Sequence, residues 1–148
     1  MGWIGEPAKK AVPALANALS DESEDVRASA ATALGKIGEP AKEAVPKLIR
    51  ALGDGSYNVR WWAAKALGSI GEPAKKVVAA LIMALGNESE DVRGIAAYAL
   101  GRIGEPAKEA VPALTKALGD ASGAVRRKAA KALKILGIAE IRKKDAPD

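Results

Sequence analysis

The side chains best suited to chemistry in this 148-residue chain are carboxylates, and they recur at a fixed interval instead of converging on one place. Glu6, Glu39, Glu72 and Glu105 are spaced 33 residues apart. A catalytic acid or base is needed once, whereas a carboxylate that recurs in every repeat is typical of a turn or a helix cap. We therefore interpret these glutamates as structural.

The amino-acid composition excludes several further kinds of chemistry. Histidine and cysteine are absent, which removes imidazole and thiolate catalysis, disulfides and soft metal ligands. No acid, base or nucleophile stands out as an exception to the repeat. The sequence accordingly predicts a protein that is not an enzyme, with no catalytic residue, no cofactor and no metal site.

A repeat of 33 residues organises the chain. Seventeen of the 33 positions are identical in all four copies, and no insertion interrupts the period. The hexapeptide Ile-Gly-Glu-Pro-Ala-Lys starts at residues 4, 37, 70 and 103, which defines repeats 4–36, 37–69, 70–102 and 103–135 and a C-terminal tail or cap at 136–148. We expect a single domain over residues 1–148.

Each repeat has the pattern of two helices. Pro13, Pro46 and Pro112 are predicted to start or kink the first helix, whereas Ala79 allows the first helix of the third repeat to run straight. In the second helix of the second repeat, the predicted buried stripe consists of Val59, Ala63, Ala66, Leu67 and Ile70. Because one helix pair cannot bury its own apolar face, we predict an all-α, right-handed α-solenoid of about four stacked helix pairs.

The motif Asp-x-Ser-x-x-Val-Arg-x-x-Ala-Ala-x-Ala-Leu-Gly-x-Ile-Gly, seen from Asp54 to Gly71, resembles HEAT-like repeats. The resemblance is to the phycobilisome-lyase type, which artificial consensus proteins of the alphaRep kind also use, and it covers nearly the whole chain. It implies the solenoid fold, but a shared scaffold does not carry a shared site.

The same resemblance implies a ladder of loop aspartates and arginines along the stack. Asp21/Arg27, Asp54/Arg60 and Asp120/Arg126 match this pattern. Asn87 replaces the aspartate before Arg93 and is expected to weaken one rung. We interpret these arginines as structural.

Function is expected where the repeats differ, on the variable face of the second helices. One such position is occupied in turn by Ser29, Trp62, Ile95 and Lys128, a range of volume and charge that a core site would not accept. These positions are therefore predicted to be exposed and to line up from repeat to repeat. The candidate partner-binding residues are Tyr57, Asn58, Trp61, Trp62, Lys65, Asp91, Gly94, Ile95, Tyr98 and Arg102.

Exposed Trp and Tyr side chains are typical anchors of protein interfaces, which favours a protein or peptide partner on this face. Gly94 either lets a partner approach closely beside the tryptophans or is a neutral change without a role in binding, and Trp61 has the alternative of packing over the neighbouring repeat. The leading hypothesis is thus a non-enzymatic protein- or peptide-binding scaffold.

Two alternatives remain open at this point. One is a nucleic-acid-binding module, because a resemblance to HEAT-like DNA glycosylases implies contact roles for Trp61, Trp62 and Asp91. The other is an engineered or consensus repeat array with no natural partner. Resemblances to bilin lyases and to the HEAT-repeat iron hydroxylase imply enzymes, but the hydroxylase needs histidine motifs that this chain lacks.

Location and self-association can also be predicted. No apolar run approaches the length of a membrane span, and the first residues lack a secretory pattern, so no membrane contact and a cytoplasmic or recombinant protein are expected. Exposed stacking faces at the two ends leave head-to-tail or swapped homodimers open.

Overall fold

The structure is a computed structural model that describes residues 2–137, with side chains described from residue 8 onward. Within that range the chain forms four successive helix pairs, and the predicted all-α solenoid is confirmed. The helices are α1 (Gly2–Ala18), α2 (Glu24–Ile37), α3 (Val45–Ala51), α4 (Tyr57–Ile70), α5 (Ala74–Ala84), α6 (Glu90–Ile103), α7 (Val111–Ala117) and α8 (Gly123–Ile135). Most of the predicted tail or cap, from residue 138, lies outside the described residues.

The first helices differ between repeats in the way that their prolines predict, with one exception. Pro46 and Pro112 occupy the first turns of α3 and α7, and 3₁₀ helices at Glu39–Ala44 and Glu105–Ala110 precede them. With Ala79 in place of proline, α5 runs uninterrupted over 11 residues. The exception is α1, which continues through Pro13, so the expected start of a helix at that proline is wrong for the first repeat.

The second helices all begin at the same repeat position, and the first three also end at the same position, because the same residues cap them; α8 ends one residue earlier. The hydroxyls of Ser23, Ser56, Ser89 and Ser122 accept hydrogen bonds of 3.3–3.4 Å from the backbone N–H three residues later. At the other end, Gly38, Gly71 and Gly104 have positive φ angles of 65–75°, which glycine adopts without steric cost. Sequence-specific caps therefore fix where the second helices begin and end.

The second helices pack side by side in the order α2, α4, α6, α8, and each also packs on the first helix of its own repeat. A methyl group added to Gly68 would lie 2.8 Å from Cβ of Ala99, and Gly35 and Gly101 make equivalent close approaches to Ala66 and Ala132. Glycine thus allows neighbouring second helices to come into near backbone contact. The resulting layer presents one continuous face to solvent.

The core lies between the two layers of helices. The five residues of the predicted α4 stripe, of which Val59 is the first and Ile70 the last, are all buried. Within the described part of the chain, no charged or polar residue is buried. None of the described helices has the length and hydropathy needed to cross a bilayer.

Candidate functional site

Trp61 and Trp62 form a compact aromatic pair on α4. Their ring centroids are 4.8 Å apart with an interplanar angle of 79°, an edge-to-face contact. Both rings are partly buried and pack against the core. The ammonium of Lys65 lies 5.2 Å from the centroid of each ring, which is cation–π distance. The pair therefore presents a lysine-covered surface and not two free aromatic anchors.

A groove of about 340 Å³ runs between α2 and α4 on the variable face, and we call it the second-helix groove. Side chains from three second helices line it, since Arg102 of α6 reaches the same space. Its functional groups come from Thr32, Lys36, Trp62, Lys65, Ser69 and Arg102. The structure thus brings together three of the sequence-predicted residues, Trp62, Lys65 and Arg102. Trp61 is not among the residues that line this groove.

Tyr98 continues the surface on the next helix. The Arg102 guanidinium donates a hydrogen bond of 3.5 Å to the Tyr98 hydroxyl. This hydrogen bond, together with the positive charges of Arg102, Lys65 and Lys131, holds the pKa of Tyr98 below its usual value, against a smaller opposing effect of burial. A smaller groove beside them is lined by Tyr98, Arg102, Lys128 and Lys131 among others. The electrostatic environment of this region is positive.

Two predicted site residues are not accessible. Ile95 is only 2% exposed, so the expectation that the whole variable position faces solvent is wrong for this residue. Gly94 is buried as well, and the space beyond its Cα is filled by Lys128, whose Cδ would lie 3.4 Å from an added methyl group. The predicted close approach of a partner at Gly94 is therefore made by a lysine of the next repeat.

Three other candidates lie away from the grooves, in the first turns of their helices. Tyr57 and Asn58 are exposed at the start of α4, and Tyr57 is 59% exposed. Asp91 is exposed in the first turn of α6, where a carboxylate favours the positive end of the helix dipole. These side chains could only contact a partner that extends beyond the grooves.

Thr32, Lys36, Lys128 and Lys131 also line these grooves, although the sequence did not single them out as candidate binding residues. Lys36 occupies the same repeat position as Arg102, and Thr32 and Lys131 occupy that of Lys65 and Tyr98. Their shared repeat positions could have identified these residues from the sequence. Only the packing of the helices shows that side chains of successive repeats line one groove.

The arginine ladder connects consecutive repeats, which corrects its predicted register. Arg27 donates two hydrogen bonds to the Asp54 carboxylate of the following repeat, at 2.9 and 3.1 Å. Burial of Asp54 opposes its ionisation, but the hydrogen bonds from Arg27 and from the Ser56 amide outweigh that effect and lower the pKa of Asp54. The within-repeat contact is made instead to a backbone carbonyl, as by Arg60 to Asp54 at 2.6 Å.

Asn87 does weaken one rung, but the affected arginine is that of the preceding repeat. Asn87 stands in the same position relative to Arg60 as Asp54 does relative to Arg27. The Arg60 Nε is buried and has no hydrogen-bond partner in the described structure. Arg93, which the sequence predicted to be affected, makes two hydrogen bonds of 2.8 and 3.0 Å to Asp120. The arginines point toward the next repeat, so the partner lies 27 residues ahead.

This fold defines an α-solenoid repeat protein, in which the positions that are invariant between repeats build the caps and the core of the stack. The sequence matches the family model of HEAT repeats over residues 1–42, 12–91 and 78–147. The chain belongs to the HEAT-repeat family. No curated protein sequence matches it.

Solved structures with the same fold include natural and designed proteins. The complex of CpcE and CpcF of phycocyanin lyase from Nostoc sp. matches with 30% identity and a TM-score of 0.74, covering 96% of this chain and 59% of the other. A designed armadillo repeat protein in complex with the peptide (KR)4 matches with 25% identity and a TM-score of 0.66, covering 90% and 69%.

A third similar structure is human deoxyhypusine hydroxylase, with 33% identity and a TM-score of 0.69, covering 84% of this chain and 43% of that protein. The fold is therefore shared with enzymes as well as with designed scaffolds. Among the residues described here, no group of Asp or Glu side chains is arranged to hold a metal ion.

Proposed function

We propose that this protein is a non-enzymatic scaffold that binds a protein or peptide segment on the face of its second helices. The observation that carries the proposal is the second-helix groove, in which Trp62 and Lys65 of one repeat and Arg102 of the next line one open space. These are positions that the repeat leaves variable, while the invariant positions are used for capping and core packing.

The aromatic and cationic composition of the groove supports a polymeric partner over a small substrate. Tryptophan, tyrosine and arginine are the residues that most often dominate binding energy in protein interfaces. A similar designed solenoid is seen in complex with a peptide, which supports peptide binding as a use of this architecture. The full sequence contains no histidine or cysteine, and its hexapeptide carboxylates recur in every repeat, which supports the absence of catalysis.

Self-association by stacking of the ends is less well supported. Lys134 occupies the position that is Gly35, Gly68 and Gly101 in the other repeats. At each of those glycines an added methyl group would come within 3.3 Å of the next helix. A second copy that continued the stack in the same register would meet the lysine stem at that point.

The proposal is tested by selecting peptides from a random display library on the purified protein and measuring their affinity for variants. Trp62→Leu keeps an apolar group against the core, and Tyr98→Ala removes an exposed ring; each is expected to weaken binding about tenfold with little change in melting temperature. Met83→Ala is the matched control, because Met83 is 81% exposed on α5 and lies outside the second-helix layer. Selected peptides that bind both site variants as tightly as the control would contradict the proposal.

A further inference from the structure

Resting on that proposed function, we infer that the partner segment is acidic and lies extended across the second helices. The inference starts from the side chains that form the two grooves of this face. Five of them are cations, which we call the basic stripe: Lys36, Lys65, Arg102, Lys128 and Lys131.

Within the part of the chain that the structure describes, no acidic side chain lines the grooves beside the basic stripe. The ion pairs found within the described residues use Arg27, Arg93, Lys42 and Lys108, so no member of the stripe is paired there. Among the described residues, the charges of the stripe are thus not neutralised by an ion pair.

Helix capping does not account for the basic stripe. Lys36 and Arg102 lie in the last turns of α2 and α6, where a cation complements the helix dipole. Lys65, Lys128 and Lys131 lie in the interior of α4 and α8, where that benefit is small. The pKa of Tyr98 is lowered first by the hydrogen bond from Arg102 and then by the charges of Arg102, Lys65 and Lys131, which accords with the grouping of these cations around the grooves.

The geometry of the layer sets the direction and spacing of the segment. Packed helices lie about 8–10 Å apart, and an extended chain advances about 3.3 Å per residue. A segment that crosses the helices therefore meets a new helix about every third residue. We expect Asp or Glu near every third position, with an apolar or aromatic residue beside Trp62 between them.

The direct test measures binding of a fluorescein-labelled peptide of four Glu-Asp units by fluorescence anisotropy at low ionic strength. A peptide of four Lys-Arg units and one of four Ser-Gly units serve as charge controls. The acidic peptide is expected to bind, whereas the two control peptides are not expected to bind. Added salt is expected to weaken the complex with the acidic peptide. Equal or tighter binding of the basic or neutral peptide would overturn the inference.

Variants locate the effect on this face. Lys65→Gln with Arg102→Gln is expected to weaken the acidic peptide about tenfold, because each rim ion pair contributes a factor of a few. The control Lys75→Gln with Lys76→Gln removes the same charge from two exposed lysines of α5 and is expected to change affinity less than about twofold. Equal losses in both variants would mean that net charge alone attracts the peptide, which overturns the inference.

Two further outcomes separate this inference from its alternatives. If library-selected peptides depend on Trp62 but carry no excess of Asp or Glu, the peptide-binding function stands and the acidic specificity is wrong. If a single-stranded oligothymidylate binds the same face more tightly than any selected peptide at equal salt, the ligand is a nucleic acid and the inference is overturned.

Discussion

The guanidinium of Arg93 makes two hydrogen bonds, of 2.8 and 3.0 Å, to the carboxylate of Asp120 in the following repeat. The Arg27–Asp54 pair has the same geometry, and both pairs are mostly shielded from solvent. Between them lies Arg60, and the residue at the position of its carboxylate acceptor in the next repeat is Asn87. One joint of the stack therefore lacks the ion pair that its neighbours have.

Asn87→Asp is expected to repair that joint. The carboxylate would give the buried Arg60 Nε an acceptor, and its other oxygen would still accept the Ser89 backbone N–H, as Asn87 does at 2.9 Å. A charge-assisted hydrogen bond to a previously unsatisfied donor is worth about 1 to 2 kcal/mol. The free energy of unfolding, measured by urea denaturation, should rise by this amount. The gain should vanish in the background of Arg60→Lys, and an equal gain there would contradict the explanation.

Acid should weaken the intact joints. The hydrogen bonds from Arg93 and from the Ser122 amide lower the pKa of Asp120 against an opposing effect of burial. A carboxylate whose pKa is lower in the folded than in the unfolded chain stabilises the fold at any pH above its pKa in the unfolded chain. That contribution is lost as the pH falls through the pKa of the folded chain.

Asp120→Asn should therefore lower the free energy of unfolding by about 1 to 2 kcal/mol at neutral pH. The difference in unfolding free energy between the variant and the wild type should disappear below about pH 4. The measurement is urea denaturation across that pH range. Glu109→Gln, an exposed carboxylate with no ion pair in the described structure, is the control. A gap that stays constant with pH would show that the Asp120 carboxylate charge does not contribute.

Two glycine substitutions on α4 and α6 should have opposite signs. Gly68→Ala places a methyl group 2.8 Å from Cβ and 3.1 Å from Cα of Ala99, so the helices must move apart at a cost of about 1 to 3 kcal/mol. Gly94→Ala meets only the flexible stem of Lys128 at 3.4 Å and should stabilise by about 0.5 to 1 kcal/mol through higher helix propensity. Thermal melts of the two variants test this contrast, and destabilisation by both would contradict it.

Tyr98 reports the positive charge of the second-helix face. In a Tyr57→Phe background, Tyr98 is the remaining tyrosine, and its phenolate formation can be followed by ultraviolet absorbance. Arg102→Gln removes the hydrogen bond and the nearest charge, so the pKa of Tyr98 should rise toward its usual value of about 10. The control Lys116→Gln, on α7, should leave that pKa where it is. No change on Arg102→Gln would mean that the hydrogen bond does not form.

The features that an amino-acid sequence determines are those whose physical cause is local or repeated. Serine caps, positive-φ glycines and the break at Pro46 follow from interactions within a few residues. Ile95 could not be placed in this way. Its equivalents include Lys128, and the sequence comparison assumed that a position has the same exposure in every repeat, whereas packing by neighbouring side chains buries this one.

The sequence by itself determined the helix pairs, the buried stripe and the fact that the pairs stack, because a strict period leaves one apolar face per helix to bury. Only the tertiary structure decided which repeat each arginine pairs with and which variable side chains share a groove. Both depend on contacts between helices roughly 30 residues apart in the chain, and the direction in which a long side chain leans across such a contact is fixed by packing.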